Sequence, residues 1–527
     1  MSSTFDPKAP PYHLAASASV VSGATLISRI LGYIRDMLIA HGFGAGLAAD
    51  AFFVAFRIPN MARELLGEGA LSAAFIPVFT ETLTEQGRPS AFRLAASAFW
   101  TMALILVVVC TIGIWSAPGL VRLLAPGFWE DPEKLALTIA LTRTMFPYLF
   151  FIGLTALMMG VLNSLGHFAA PAFSPALLNI AIIASLLFLG PYLEEPIYAL
   201  AYGVLGGGCL QLLSQFPPTV RRGVTFTQPG KWRDPALARI GRLMVPGVGG
   251  LAITQLNVFI TTLLASLLVE GSVSHLYYAF RLVHLPIGVI GVAAATVAFP
   301  AMAAAASRHS PEELRNTLVF ALRFTLFLTV PALVGLVIFR NTIIHLLFER
   351  GEFTQAMTTA TAQVLLGYCL GLCFFVANRV LIPAFYAFQD TVTPVKTGAI
   401  AVAANILFSL LLMQPLGAAG LAVATSLASL VNFSLLMVFL RKHLGPFRGE
   451  VLGRPLQKTG LAGLCMAGTL FALQGLLPSL EDRGLLVQLA GFLGELGSGT
   501  AVFFGVAAFL GCEEVRFLRG LFQRWLA

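Results

Sequence analysis

The sequence predicts an all-α polytopic membrane protein. About 14 transmembrane helices are expected, as two six-helix lobes with pseudo-two-fold symmetry plus two extra C-terminal helices. Three observations lead there. The 527 residues are 57% hydrophobic and only 11% charged, where a soluble domain carries about 25% charge. Apolar runs of about 20 residues, the length that crosses a bilayer, follow one another from end to end. Short sequence echoes recur at one period. The same composition, with a mean hydropathy of +0.84, excludes an intrinsically disordered chain and a secreted disulfide scaffold. The net charge of +8 does not point to a nucleic-acid partner, because the basic residues sit in short loops and not on one face.

The spans follow in order. The first, 14–40, comes after an N-terminus with no basic leader and no cleavage site, so it is expected to be retained. The second, 47–82, holds Pro59, Gly67 and Gly69 and should bend near Arg63 and Glu68. Spans 91–117, 134–163, 170–190 and 196–218 complete an N-lobe over 14–222, behind a cytoplasmic tail at 1–13. A basic linker at 223–236 leads to a C-lobe over 237–443, with spans 237–269, 273–306, 314–340, 354–388, 393–413 and 417–440. Residues 444–527 hold the last two spans, 456–478 and 485–511, and a C-terminal tail. Several spans exceed 25 residues and contain Gly or Pro, so tilt and kinks are expected. Cys110, Cys209, Cys369, Cys373, Cys465 and Cys512 lie almost all inside apolar runs and read as small core residues. His41, His167 and His345 read as loop or interface residues.

Orientation comes from the basic residues. With the N-terminus in the cytoplasm, 21 of the 33 Lys and Arg fall on the cytoplasmic side and five on the other. That bias, with acids evenly split, is the positive-inside pattern, and both termini are then cytoplasmic. The remaining seven are inside spans, and all are arginines: Arg29, Arg35, Arg57, Arg63, Arg143, Arg281 and Arg379. An arginine at mid-helix costs about 2.5–3.5 kcal/mol on insertion scales. Such residues must face a wet cavity or pair with acids such as Asp36, Asp50, Glu64 and Glu68. Ion pairing that locks helices together accounts for some. It leaves excess positive charge in the first two spans and the eighth, which favours a cavity that receives an anion. Ser28, Arg29, Gly32, Arg35 and Asp36 share one stripe, as do Asp50, Arg57, Asn60 and Glu64, and Tyr277, Arg281, His284, Gly288 and Gly291. Guanidinium forks suit bidentate phosphate contact and stay charged when dehydrated.

The chain also repeats itself. Ala55-Phe56-Arg57 returns as Ala279-Phe280-Arg281, and Leu178-Asn179-Ile180 as Ala404-Asn405-Ile406, at offsets of 224 and 226. Six spans per repeat make parallel halves related by an axis along the membrane normal.

The stretch from Ser28 to Phe79 carries SRILGYIRD, DAFFVAFRIPNMAR and EGALSAAFIPVF in order. It resembles the N-terminal signature of the MurJ/MviN lipid II flippases, of the multidrug/oligosaccharidyl-lipid/polysaccharide transporter superfamily. YYAFRLVHLPIGVIGVAAATVAFP in the eighth span and the fourteen-span layout extend the resemblance over essentially the whole chain. The resemblance implies transport, without enzymatic chemistry, of undecaprenyl-diphosphate-linked peptidoglycan precursor across the bacterial inner membrane by alternating access. It implies diphosphate contacts from Arg29, Arg35, Arg63 and Arg281, with Asp36, Asp50, Arg57, Asn60 and Glu68 as cavity and gating residues. It also implies a tail groove at the last two spans. The implied partners are lipid II and membrane lipids, with no nucleic acid and a monomer sufficient. No cofactor or metal is expected. Some relatives hold sodium through acids in spans 7 and 11. Here those spans offer Gln255, Asn257, Thr261, Thr262 and Asn405 but no acid, which argues against sodium and leaves the membrane potential as a driving force. Two alternatives stay open: flipping of another undecaprenyl-diphosphate oligosaccharide, and ion-coupled drug export within the same superfamily.

Overall fold

The computed structural model describes residues 11–65, 71–227, 234–308, 310–445, 449–476 and 484–526. Every regular element among them is helical. Two compact units divide the chain at Gly271.

The first unit contains α1 (Pro11–Phe43), α2 (Leu47–Leu65), α3 (Leu71–Glu85), α4 (Arg88–Leu124), α5 (Pro132–Met145), α6 (Tyr148–Ser164), α7 (Ala169–Ala184), α8 (Tyr198–Arg221) and α9 (Pro235–Ser266). The second contains α10 (Ser272–Pro286), α11 (Val292–Ser307), α12 (Pro311–Ile338), α13 (Arg340–Phe348), α14 (Gln355–Cys369), α15 (Leu372–Ala387), α16 (Val392–Leu444), α17 (Gly449–Leu476), α18 (Leu485–Phe509) and α19 (Glu513–Leu526). Side-chain caps set several starts. Asp131 accepts from Lys134 N at the head of α5, and Asp234 from Ala236 N at the head of α9. Ser310 and Thr354 do the same for α12 and α14.

Eight helical stretches among the described residues are long and apolar enough to cross a membrane. A ninth results if α14 and α15, bent by 44°, count as one span. That set leaves out α1 and α2, which carry four of the seven arginines singled out above. The expected spans map onto helices with internal breaks. Span 47–82 is α2 and α3, on either side of residues 66–70. Span 134–163 breaks at Phe146-Pro147 between α5 and α6. A π-helix, Ser185–Leu189, follows α7, and another, Ile287–Gly291, joins α10 to α11. Spans 393–413 and 417–440 lie in α16, which is interrupted at Gly417 with φ 57°. Only glycine adopts that conformation freely. Three residues on, a Cβ at Gly420 would collide with the Leu412 carbonyl.

Outward faces are apolar. Leu104, Ile105, Val108, Ile112 and Trp115 on α4 are all exposed, which suits lipid and not water. In the first unit α7 packs between α1 and α8, and α2 against α5. Although α9 follows the linker at 223–236, it packs against α3 and α4. It is tied there by Arg239–Glu81 at 2.8 Å and by Gly127 N donating to Ser266 Oγ at 3.2 Å. The contact boundary at Gly271 therefore falls one helix later than that linker. In the second unit α11, α12, α15 and the end of α16 share one core. A second core of Phe327, Phe339, Met466, Leu470 and Phe503 joins α12 to α17 and α18.

Candidate functional site

Helix α1 has two chemically distinct faces. Leu26, Ile27, Ile30 and Ile34 are exposed, whereas Gly32, Arg35, Asp36, Ile39 and Ala40 are buried and Arg29 is half-buried. A charged stripe on the inner face escapes the hydrocarbon and meets protein partners. Arg35 is 8% exposed and Asp36 fully buried. Arg35 Nε and Nη2 donate to Asp36 Oδ1 at 3.0 and 2.6 Å, and Nη1 donates to Asn179 Oδ1 at 3.0 Å. Asn179 on α7 in turn donates from Nδ2 to the Ser28 carbonyl at 3.0 Å. The amide thus spans two turns of α1 and fixes the guanidinium plane.

On α2, Arg57, Asn60 and Arg63 are half-buried. Arg63 Nε donates to Asn60 Oδ1 at 3.1 Å, and Asn60 Nδ2 to Glu64 Oε1 at 2.9 Å. The second Glu64 oxygen accepts from Gln255 Nε2 of α9 at 2.5 Å. Arg63 is thereby held through Asn60 and Glu64, with its own Nη2 3.8 Å from Glu64.

Asp50 pairs with a lysine that the sequence stripe did not include. Its Oδ2 lies 2.8 Å from Lys134 Nζ and accepts the Gly271 N–H at 2.8 Å. Both side chains are buried, and the ammonium lies 4.3 Å from the Phe128 ring centroid. Lys134, at the first position of the span expected over 134–163, is therefore an interior cation. Glu270 Oε1 accepts from Leu47 N at 2.7 Å, so two acids sit at the α2 N-terminus, where the helix dipole favours negative charge. Glu68 lies outside the described residues.

In the second unit Tyr277 and Arg281 are half-buried and His284 is exposed on α10. The ring of Phe280 packs between His284 and Tyr368, at 5.1 and 5.2 Å. The expected stripe does not run on unchanged. The π-helix at Ile287–Gly291 adds a residue to the turn, so Gly288 and Gly291 leave the 3.6-residue register of Arg281. Gly291 instead packs against Arg379 of α15, whose Cβ and Cγ would lie 3.4 Å from a Cβ there. Of the four arginines expected to contact diphosphate, three belong to the first unit and Arg281 to the second. Asn179, Lys134 and Gln255 are the partners that the sequence did not assign. Amides inside the apolar runs at 170–190 and 237–269 were the available signal.

Apolar outer faces and buried charge on inner faces define a polytopic membrane protein. An inward-facing multidrug resistance MATE family transporter of the MOP superfamily matches with a TM-score of 0.70, over 81% of this chain and 98% of its own, at 15% identity. That likeness shows the fold. The sequence profile described as "Lipid II flippase MurJ" matches residues 39–480. The solved "Lipid II flippase MurJ, inward closed conformation" gives a TM-score of 0.77 at 26% identity, covering 92% of this chain and 98% of that one. The probable lipid II flippase MurJ of Vibrio cholerae serotype O1 is 36% identical over 509 residues, 94% of this chain and 96% of its own. The lipid II flippase MurJ of Burkholderia cenocepacia is 37% identical over 427 residues, 80% and 83% of the two chains. The chain belongs to the MurJ family of lipid II flippases.

Proposed function

We propose that this protein translocates lipid II, the undecaprenyl-diphosphate-linked peptidoglycan precursor, from the cytoplasmic to the periplasmic leaflet of the bacterial inner membrane. Transport is by alternating access, and no bond is made or broken. The observation that supports it is the inner face of α1 in a chain of this family. Arg29 is half-buried there, and Arg35 is held in plane by Asp36 and Asn179. Arg29, Arg35, Arg63 and Arg281 contribute the diphosphate contacts. At Arg35 the diphosphate exchanges for Asp36, which is already matched to the guanidinium fork. Asp36 is thus the resting-state counter-ion, and Asn60 with Glu64 plays that part for Arg63. The ligand shifts the conformational equilibrium only insofar as it favours one state over the other.

Both termini are cytoplasmic in this reading, on the distribution of Lys and Arg. No cofactor takes part. Gln255, Asn257, Thr261, Thr262 and Asn405 supply no carboxylate for sodium, so the membrane potential acts on the cationic site. Each elementary charge carried through it gains about 2.3 kcal/mol per 100 mV.

The test is binding of a lipid-linked diphosphate to purified protein at fixed salt, alongside complementation of a depletion strain. Arg35→Ala and Arg281→Ala should each lose roughly ten- to hundredfold in affinity, the worth of a charge-assisted hydrogen bond. Arg→Lys at either position should stay substantially impaired, because the planar fork is gone. Unchanged affinity in both alanine variants would overturn the site. Accumulation of a different undecaprenyl-linked glycolipid on depletion would reassign the cargo.

A further inference from the structure

The last helix lies beyond residue 480, where the match to the family profile ends. Helix α18 stops at Phe509, Gly511 takes a left-handed φ of 69°, and α19 begins two residues later at Glu513. The chain therefore leaves a 25-residue span and turns at once into a helix at the membrane boundary.

One face of α19 is fixed to the second unit. Arg323 of α12 donates from Nε to Glu514 Oε1 and from Nη2 to Glu513 Oε2, both at 2.9 Å. Glu514 is 2% exposed. Phe517 meets Phe320 and Phe324 edge-on, at 5.1 and 5.5 Å. Val515 and Leu518 pack on the core shared by α12, α17 and α18. The opposite face carries Arg516, Arg519 and Gln523, spaced i, i+3, i+7, and all three are exposed.

Charge follows the same division. The two acids of α19, Glu513 and Glu514, are both engaged by Arg323. The outward face is left cationic, at a height fixed by the preceding span. A headgroup layer lies at that height, and its phosphates are the complementary charge. We propose that the Arg516–Arg519 face of α19 is a docking surface for anionic phospholipid headgroups. The topology proposed above decides only which leaflet is met, the cytoplasmic one.

Hydrogen exchange of the full-length protein in nanodiscs tests this, using phosphatidylcholine alone or mixed with phosphatidylglycerol. Amides of 513–526 should exchange up to about thirtyfold more slowly in the anionic discs, a ratio set by two arginines near a charged surface. High salt should abolish the difference, and so should R516Q/R519Q. The R516K/R519K variant keeps the charge and should keep the difference, which controls for any loss of helix in the glutamine variant. Equal exchange in both discs, a salt-insensitive difference, or loss of the effect in R516K/R519K would each overturn the proposal. A disc presents both leaflets and requires no transport, so failure here is distinct from failure of the proposed function.

Discussion

Lys134 and Asp50 show how the first unit accommodates a lysine in its interior. The ammonium reaches the carboxylate at 2.8 Å, rests over Phe128, and shares Asp50 Oδ2 with the Gly271 amide. Removing one member of such a buried pair leaves the other uncompensated, at a cost of about 3–5 kcal/mol. Lys134→Met should therefore lower the thermal midpoint of the purified protein markedly. Lys134→Met with Asp50→Asn should recover much of the loss, since the amide oxygen still accepts from Gly271 N. A Lys134→Met protein that melts like the parent would show the pair to be dispensable. Arg35, with Asp36 and Asn179, is built on the same principle with a different outcome. Its carboxylate partner is the next residue on the same helix, so the charge is matched within α1.

At the scale of elements, breaks matter more than spans. The π-helices at 185–189 and 287–291 end the regular register of α7 and α10, and Gly417 turns the chain inside α16. The head of α16 supplies a test in acid. Asp390 Oδ1 accepts from Val392 N at 3.0 Å and Thr393 N at 2.9 Å. Hydrogen bonds from the Thr393 side chain and backbone, then from Val392 N, hold its carboxyl below the usual range. His443 Nε2, 3.9 Å away, adds attraction wherever the ring is protonated. A carboxyl depressed in the folded state stabilises above its unfolded value and loses that contribution as pH falls through the folded value. The melting difference between parent and Asp390→Ala should hold through neutral pH and close only below the ordinary carboxylate range. A difference that closes already near neutrality would show that these hydrogen bonds do not hold the Asp390 carboxyl down.

For the whole molecule the decisive quantity is sidedness. The loops at 217–242 and 441–458 carry eleven basic residues between them, and a translocated loop so charged would violate the positive-inside rule. Cysteines placed at Gly223 and Gly449 should resist a membrane-impermeant thiol reagent applied to intact cells and react after permeabilisation. Labelling of either from outside would invert the proposed topology and move the Arg516–Arg519 face to the other leaflet.

Composition and periodicity by themselves determined that the chain is helical, that it crosses a membrane many times, and that arginines lie within its spans. These are one-dimensional properties, because an apolar run must be helical in hydrocarbon whatever its neighbours are. The signature from Ser28 to Phe79 identified the family for the same reason, since it is a local string. Which charge meets which was decided only by tertiary structure. Asp50 and Lys134 are 84 residues apart, Arg35 and Asn179 are 144, and Glu64 and Gln255 are 191. Nothing in a local pattern selects among partners at such separations. The register beyond Arg281 was hidden as well, because a π-turn inserts a residue without any Gly or Pro that marks it uniquely. The α9 helix joined the first unit through contacts with α3 and α4 that the basic linker before it does not foretell. A buried charge is satisfied by whatever donor packing brings within about 3 Å, and packing is a property of the folded chain.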